Sequence, residues 1–345
     1  KEIDIQAGHD IYLQGKVEVT VTAKDGLIKI TAEDKELGHS TEGSINGQEH
    51  ASLLAEGDNG QVILSAGSDG GDLDLNGTHI SAGDRVELLA LKGTVTHSGL
   101  LEAKTLYGRA EHAFDIYAEE EKRDQDTQKV QSVQKIHNAY IDKLDVELTD
   151  KGDIFLNNQK DLVLENVQTA DGDIIISSHG DMQAEKLITH GSGERNDIIL
   201  VTHDSTQDED HSDLRLKELT TGNKGDIFLQ VHGQVEQEDG GKLSAEELEV
   251  VAYGHIDLNL DVNTLRLATK DQGDVQLRQT GNDLKYNDLV LEKVEVQNGD
   301  FTLDADTILE LAEGSLLSNN DDHIIDIKAK DDILVHDIIS GFYSS

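Results

Sequence analysis

Four aspartates, Asp153, Asp173, Asp197 and Asp226, each begin a copy of one short motif. The copies read Gly152-Asp153-Ile154-Phe155-Leu156, Gly172-Asp173-Ile174-Ile175-Ile176, Asn196-Asp197-Ile198-Ile199-Leu200 and Gly225-Asp226-Ile227-Phe228-Leu229. A histidine stands six residues after three of them: His179, His203 and His232. If the copies stack in register, adjacent strands bring the carboxylates about 4.8 Å apart. Unit charges at that separation repel by roughly 1 kcal/mol in water and several times more where partly buried. Either each carboxylate caps backbone N–H groups of its own turn, as in Asx-turns, or calcium sits between the carboxylates on oxygen ligands. Capping is the preferred reading, because regular calcium solenoids use a denser Gly-Gly-x-Gly-x-Asp pattern. Here only Gly70-Gly71-Asp72-Leu73-Asp74-Leu75 approaches it. Three imidazoles in register would likewise suit zinc or nickel, although polar turn residues are the commoner explanation. No His-Glu-x-x-His motif adds catalytic chemistry.

The elements that position these residues are short strands restarted many times. Weaker copies of the motif follow at Gly254-His255-Ile256-Asp257-Leu258, Gly273-Asp274-Val275-Gln276-Leu277 and Gly299-Asp300-Phe301-Thr302-Leu303, with a remnant at Asp332-Ile333-Leu334-Val335. Gly152, Gly172, Gly225, Gly273 and Gly299 are the expected turn glycines, and Asp274 and Asp300 the expected continuation of the aspartate ladder beyond His255. The intervals between equivalent positions are 20, 24, 29, 29, 19 and 26 residues, with at least one further strand-like run between copies. Fixed strands with variable turns are the pattern of a β-solenoid, in which a coil buries its inward side chains only by stacking on its neighbours. The predicted fold is therefore all-β: a right-handed parallel β-helix of roughly 14 coils, continuous over 1–345.

One stretch breaks the pattern. From Arg109 to Lys143 the repeat disappears, while Val130, Val133, Ile136, Tyr140 and Leu144 fall at helical spacing. An inserted loop or short amphipathic helix over 109–143 is the expectation. Two acid-dense segments, Asp204 to Asp213 and Asn319 to His323, read as solvated turns.

Composition narrows the function classes. A net charge of −41 repels phosphate backbones and anionic headgroups, which argues against nucleic acid and membrane-surface partners. There is no cysteine, so disulfides, thiolate metal sites and cysteine nucleophiles are excluded. Proline is absent too, where average usage would supply about 17, as suits a chain whose segments nearly all join a ladder. No apolar run is long enough to span a bilayer as a helix. The chain opens at Lys1 and shows no signal peptide, which fits a processed or excised piece.

The cadence from Lys151 to Ile176, Gly-Asp-Ile-x-Leu, then Leu-x-Leu-x-x-Val-x-Thr, then Gly-Asp-Ile again, resembles the shaft repeats of filamentous-haemagglutinin-like bacterial adhesins and related large exoproteins. The likeness runs well over about 143–341 and loosely over the N-terminal third. It implies a right-handed parallel β-helix acting as a stalk on or near the cell surface. The Asn-Pro secretion-domain motif of that group is missing, so a shaft piece is the better match.

The sequence thus predicts a non-catalytic structural stalk or fibre segment, extracellular or at the cell surface, with no resident cofactor unless calcium occupies the aspartate ladder. Its expected partner is a further copy or further coils stacked end to end; the receptor is not specified. The rivals are a calcium-dependent adhesive module and a secreted polysaccharide-active β-helix enzyme, the latter marked by outward Asp, Arg and Tyr residues converging in one groove.

Overall fold

The computed structural model describes residues 2–7, 9–13, 19–24, 26–32, 43–47, 51–116, 118–123, 130–136, 139–193, 196–204, 211–279, 284–286, 288–312, 316–318 and 324–335. The turn 319–323 and most of the segment Asp204 to Asp213 lie outside that set. The described residues are all-β and form a parallel β-helix. The chain separates into two compact units, Lys1–Ala170 and Asp171–Ser345.

In the first unit three parallel sheets recur in rotation. One stacks Glu2–Gln6, Leu27–Thr31, Gln61–Ser65, Arg85–Ala90, the second half of Leu101–Ala110 and the middle of Ala139–Lys151. A second places Ile11, Ile45, Leu73, Val95, Phe114 and Ile154 on successive rungs. The third runs from Val19–Lys24 through Ala51–Glu56 and His79–Ala82 to the first residues of Leu101–Ala110. Alternation along each strand sends one side chain in and the next out: Ile28 and Ile30, Val62 and Leu64, Val86 and Leu88 are fully buried columns. Each such aliphatic side chain contributes about 1.5–3 kcal/mol by leaving water. Phe114, one of the largest fully buried side chains, occupies the space that a Cβ on Gly108 would fill, 2.2 Å from its ring.

The break near 109–143 is an antiparallel strand pair, Ala118–Arg123 with Val130–Ile136, rather than a helix. It is also shorter than the sequence suggested, because Arg109 still belongs to the stacked strand Leu101–Ala110 and Tyr140 to Ala139–Lys151. Three of the five residues at helical spacing, Val130, Val133 and Ile136, lie within the strand Val130–Ile136. Where a strand bends from one sheet to the next, inward residues stand three apart rather than two: Ala103 to Leu106, Ile141 to Leu144, Ala184 to Leu187 and Leu216 to Leu219 are buried pairs of this kind. Tyr140 is exposed and Leu144 buried, so they do not share a face.

The second unit repeats the scheme. Ile174, Ile198, Ile227, Leu248 and Leu265 occupy one sheet, and Met182, Leu214, Val235, Ile256, Val275, Phe301 and Ile325 another. A third includes Leu289, Leu309 and Ile333. This topology corrects the single-ladder expectation. The copies at 172, 196 and 225 lie on the first of these sheets, those at 254, 273 and 299 on the second, and Asp332-Ile333-Leu334-Val335 on the third. The motif marks the start of a strand and does not say which sheet that strand joins.

Candidate functional site

At the copies beginning at 196, 225 and 299, the backbone N–H just before the first inward residue is bonded to a carboxylate of the preceding coil. Asp173 Oδ1 accepts the backbone N–H of Asp197 at 2.9 Å, and Asp197 Oδ1 accepts that of Asp226 at 2.9 Å. Asp226 Oδ1 takes the N–H of Glu247 at 3.1 Å. Beside each of the first two bonds, a backbone rung runs the opposite way, Ile174 N–H to Asp197 O and Ile198 N–H to Asp226 O, both 2.9 Å. The carboxylates therefore cap, but they cap the next coil and not their own turn. The reason is geometric: in a parallel stack the N–H at the start of one strand points back at the preceding coil, within reach of an aspartate there.

A second relay follows the neighbouring sheet. Asp181 Oδ1 accepts from Asp213 N–H at 2.9 Å and Asp213 Oδ1 from Gln234 N–H at 2.8 Å; farther along, Asp274 Oδ1 accepts from Asp300 N–H at 2.9 Å and Asp300 Oδ1 from Ile324 N–H at 2.8 Å. Asp274 and Asp300 thus belong with Asp181 and Asp213, and Gln234 and His255 occupy the two intervening rungs of that column. The first unit holds its own relay: Asp10 Oδ1 on Ser44 N–H (2.9 Å), Ser44 Oγ on Asp72 N–H (3.0 Å) and Asp72 Oδ1 on Thr94 N–H (2.8 Å). Asp153 also belongs to the first unit, where its carbonyl accepts the N–H of Phe114 at 3.1 Å.

The expected repulsion is present. Burial raises the carboxyl pKa of Asp197, and the Asp226 charge adds to it, against the N–H bond from Asp226 that lowers it. Asp226 is raised by burial and by Glu246, with the Glu247 N–H and Arg266 pulling down. Among the described residues, no three His, Cys, Asp or Glu side chains are grouped to hold one metal ion.

The turn glycines are required chiefly by close approach. A Cβ on Gly152 would lie 1.2 Å from His112 O, on Gly225 2.2 Å from Asn196 O, on Gly273 2.5 Å from Gly254 C and on Gly299 2.0 Å from Gly273 O. Gly172 instead has a φ of 154°.

The histidines do come together. His179 and His203 are register partners with ring centroids 4.9 Å apart, and His203 and His232 lie at 6.1 Å. Tyr253 extends the column, stacked 4.8 Å from His232. Burial depresses the pKa of His179, and that of His203 with further contributions from its two imidazole neighbours. Asp204 Oδ2 stands 3.3 Å from His232 Nδ1. Sequence reasoning missed Tyr253 because the strand it follows, Val235–Ala252, carries no Gly-Asp start.

It also missed a cluster on an outward face of the first unit. Glu87, Tyr107 and Asp145 are consecutive register partners, and the guanidinium groups of Arg85 and Arg109 lie over the Tyr107 ring at 4.6 and 4.1 Å. Arg109 pairs with Asp145 at 3.0 Å and Glu147 at 3.2 Å, and Arg85 with Glu87 at 3.1 Å. Both cations are thus neutralised within the patch. The signal was available as outward residues two apart on strands whose register the sequence left open.

Buried polar side chains elsewhere close the corners. Asn158 accepts the N–H of Ile141 at 2.9 Å and donates to its carbonyl at 3.0 Å, and Gln279 does the same for Val262 at 3.2 and 3.0 Å. Asp261 receives the N–H groups of Lys285 and Tyr286 at 2.8 and 3.1 Å. Each side chain stands in for a backbone rung.

Fold and site together define a parallel β-helix whose acidic columns are used in coil-to-coil capping. The chain matches no protein-family model, no curated protein and no solved structure. Among the described residues, no helix is long and apolar enough to cross a membrane.

Proposed function

We propose that the chain is a structural stalk or fibre segment of an extracellular or cell-surface, adhesin-like assembly, without catalysis of its own. One observation carries the reading: the apolar residues of the last described coil are exposed in register with buried ones beneath. Ile325 is 44% exposed against 1% for its register partner Phe301, Ile333 43% against 0% for Leu309, and Val335 52% against 2% for Leu311. A further rung of the same kind, from another copy or from further coils of the same assembly, would bury them. The resemblance of the Gly-Asp-Ile-x-Leu cadence to adhesin shafts supports the same reading, and the charge of −41 disfavours nucleic acid and anionic membrane surfaces as partners.

Sedimentation velocity tests the stacking. The account expects a weight-average mass that rises with concentration, and an Ile333→Lys/Val335→Lys variant that stays monomeric. A wild-type chain that remains monomeric throughout would overturn it. The patch of Arg85, Tyr107, Arg109 and Asp145 is what favours the alternative, a polysaccharide-active β-helix enzyme. Release of chain ends from a uronate polymer, lost in Arg109→Ala, would select that reading instead.

A further inference from the structure

The ring column His179, His203, His232 and Tyr253 sits where two turns are wired together. Thr202 Oγ1 accepts the N–H of His232 at 3.1 Å and donates to Ser212 O at 2.9 Å, while Ser212 Oγ donates to His203 O at 2.7 Å. The next residue, Asp213, is the one held by Asp181. This corner therefore joins the end of strand Ile198–His203 to the start of strand Leu214–Thr220.

We propose that this column is a proton-sensitive seam: at mildly acidic pH, imidazolium charge forming on adjacent rungs opens the corner between strands Ile198–His203 and Leu214–Thr220.

The column's neighbours among the described residues are these. Asp204 lies against His232, and His203 sits between the two other imidazoles. From the adjoining column, Asp181 and Asp213 direct their carboxylates to the N–H groups of Asp213 and Gln234. Beyond Tyr253 the next residue in register is Lys270, which follows Thr269, the partner of Ala252. A proton on His203 is disfavoured by its half-buried setting and by the imidazoles of His179 and His232 on either side. The sign follows from linkage. Folded-state pKa values below that of free imidazole mean that stability is complete above about pH 6.5 and is lost as pH falls from there.

Amide hydrogen exchange on the full chain tests the seam, comparing about pH 7.5 with about pH 5.5 after correction for intrinsic rates. Protection of 198–203 and 214–220 is expected to fall at least about threefold in the wild type while Phe301–Ala305 stays level, and to be flat in His203→Gln and in His179→Gln/His203→Gln. Imidazole titration of the wild type by NMR is independent of any variant's folding, and His179 and His203 should titrate below free histidine. An equal pH response in wild type and variants, or titration at or above the free value, would refute the seam.

Discussion

A buried histidine with one partner makes the clearest residue-scale case. His97 is fully buried in the first unit, with Nε2 2.9 Å from Thr78 O. Burial pushes its pKa down to about 4, against the partial rescue by the Thr78 carbonyl. The neutral form is therefore the folded form. Its contribution is complete above the unfolded value near pH 6.5 and is lost as pH falls toward 4, by about 3 kcal/mol in all. Chemical denaturation of wild type and His97→Gln across that window should show a steeper acid loss in the wild type, and parallel curves would contradict the assignment. The carboxylates act in the opposite sense, since Asp197 and Asp226 have raised values and gain stability on protonation. At this scale the sequence was a good guide to residue type and a poor guide to partner. It identified Asp173, Asp197 and Asp226 as cappers, but whether an aspartate caps its own turn or the next coil depends on a stacking direction that only three-dimensional register supplies.

Strands and turns were more legible than the columns they build. The alternation of Ile174 and Ile176, or Ile227 and Leu229, is a local property and survives in the structure as alternating burial. The assignment of a strand to a sheet depends on how many residues the intervening turns consume. For that reason the copies at 225 and 254 look equivalent in sequence and lie on different sheets. Val130, Val133 and Ile136, at helical spacing in the sequence, lie instead within one strand of the inserted pair Ala118–Arg123 and Val130–Ile136. Close approach of successive coils gives the element-scale prediction. Gly152→Ala would place a Cβ 1.2 Å from a backbone oxygen and should cost more than about 2 kcal/mol, because backbone on both sides must move. Gly240, with φ +77° and open space around it, is the comparison: Gly240→Ala should cost about 1 kcal/mol, from backbone conformation alone. Urea denaturation of both variants checks the order, and equal losses would show that coil approach does not matter.

For the whole molecule the question is how a chain of net charge −41 holds rows of acids in register. Part of the answer is ion pairing at the corners: Lys217 meets Glu185 at 2.9 Å, Lys143 meets Glu165 at 2.7 Å, and Arg266 bridges Glu247 and Glu292. Exposed pairs of this kind contribute little individually. The larger part is that relay carboxylates accept backbone N–H groups which would otherwise lack a ladder partner, a bond to a charged acceptor being worth about 1.5–3 kcal/mol. An asparagine keeps that acceptor without the charge. If the columns exist for capping, the charge is dispensable; if they exist to hold calcium, it is essential. Thermal unfolding of the wild type and of Asp173→Asn/Asp197→Asn/Asp226→Asn, with calcium and with chelator at matched ionic strength, separates the two. The account predicts one midpoint for each protein regardless of calcium, with the variant at least as stable as the wild type. A midpoint that calcium raises in the wild type and not in the variant would contradict it.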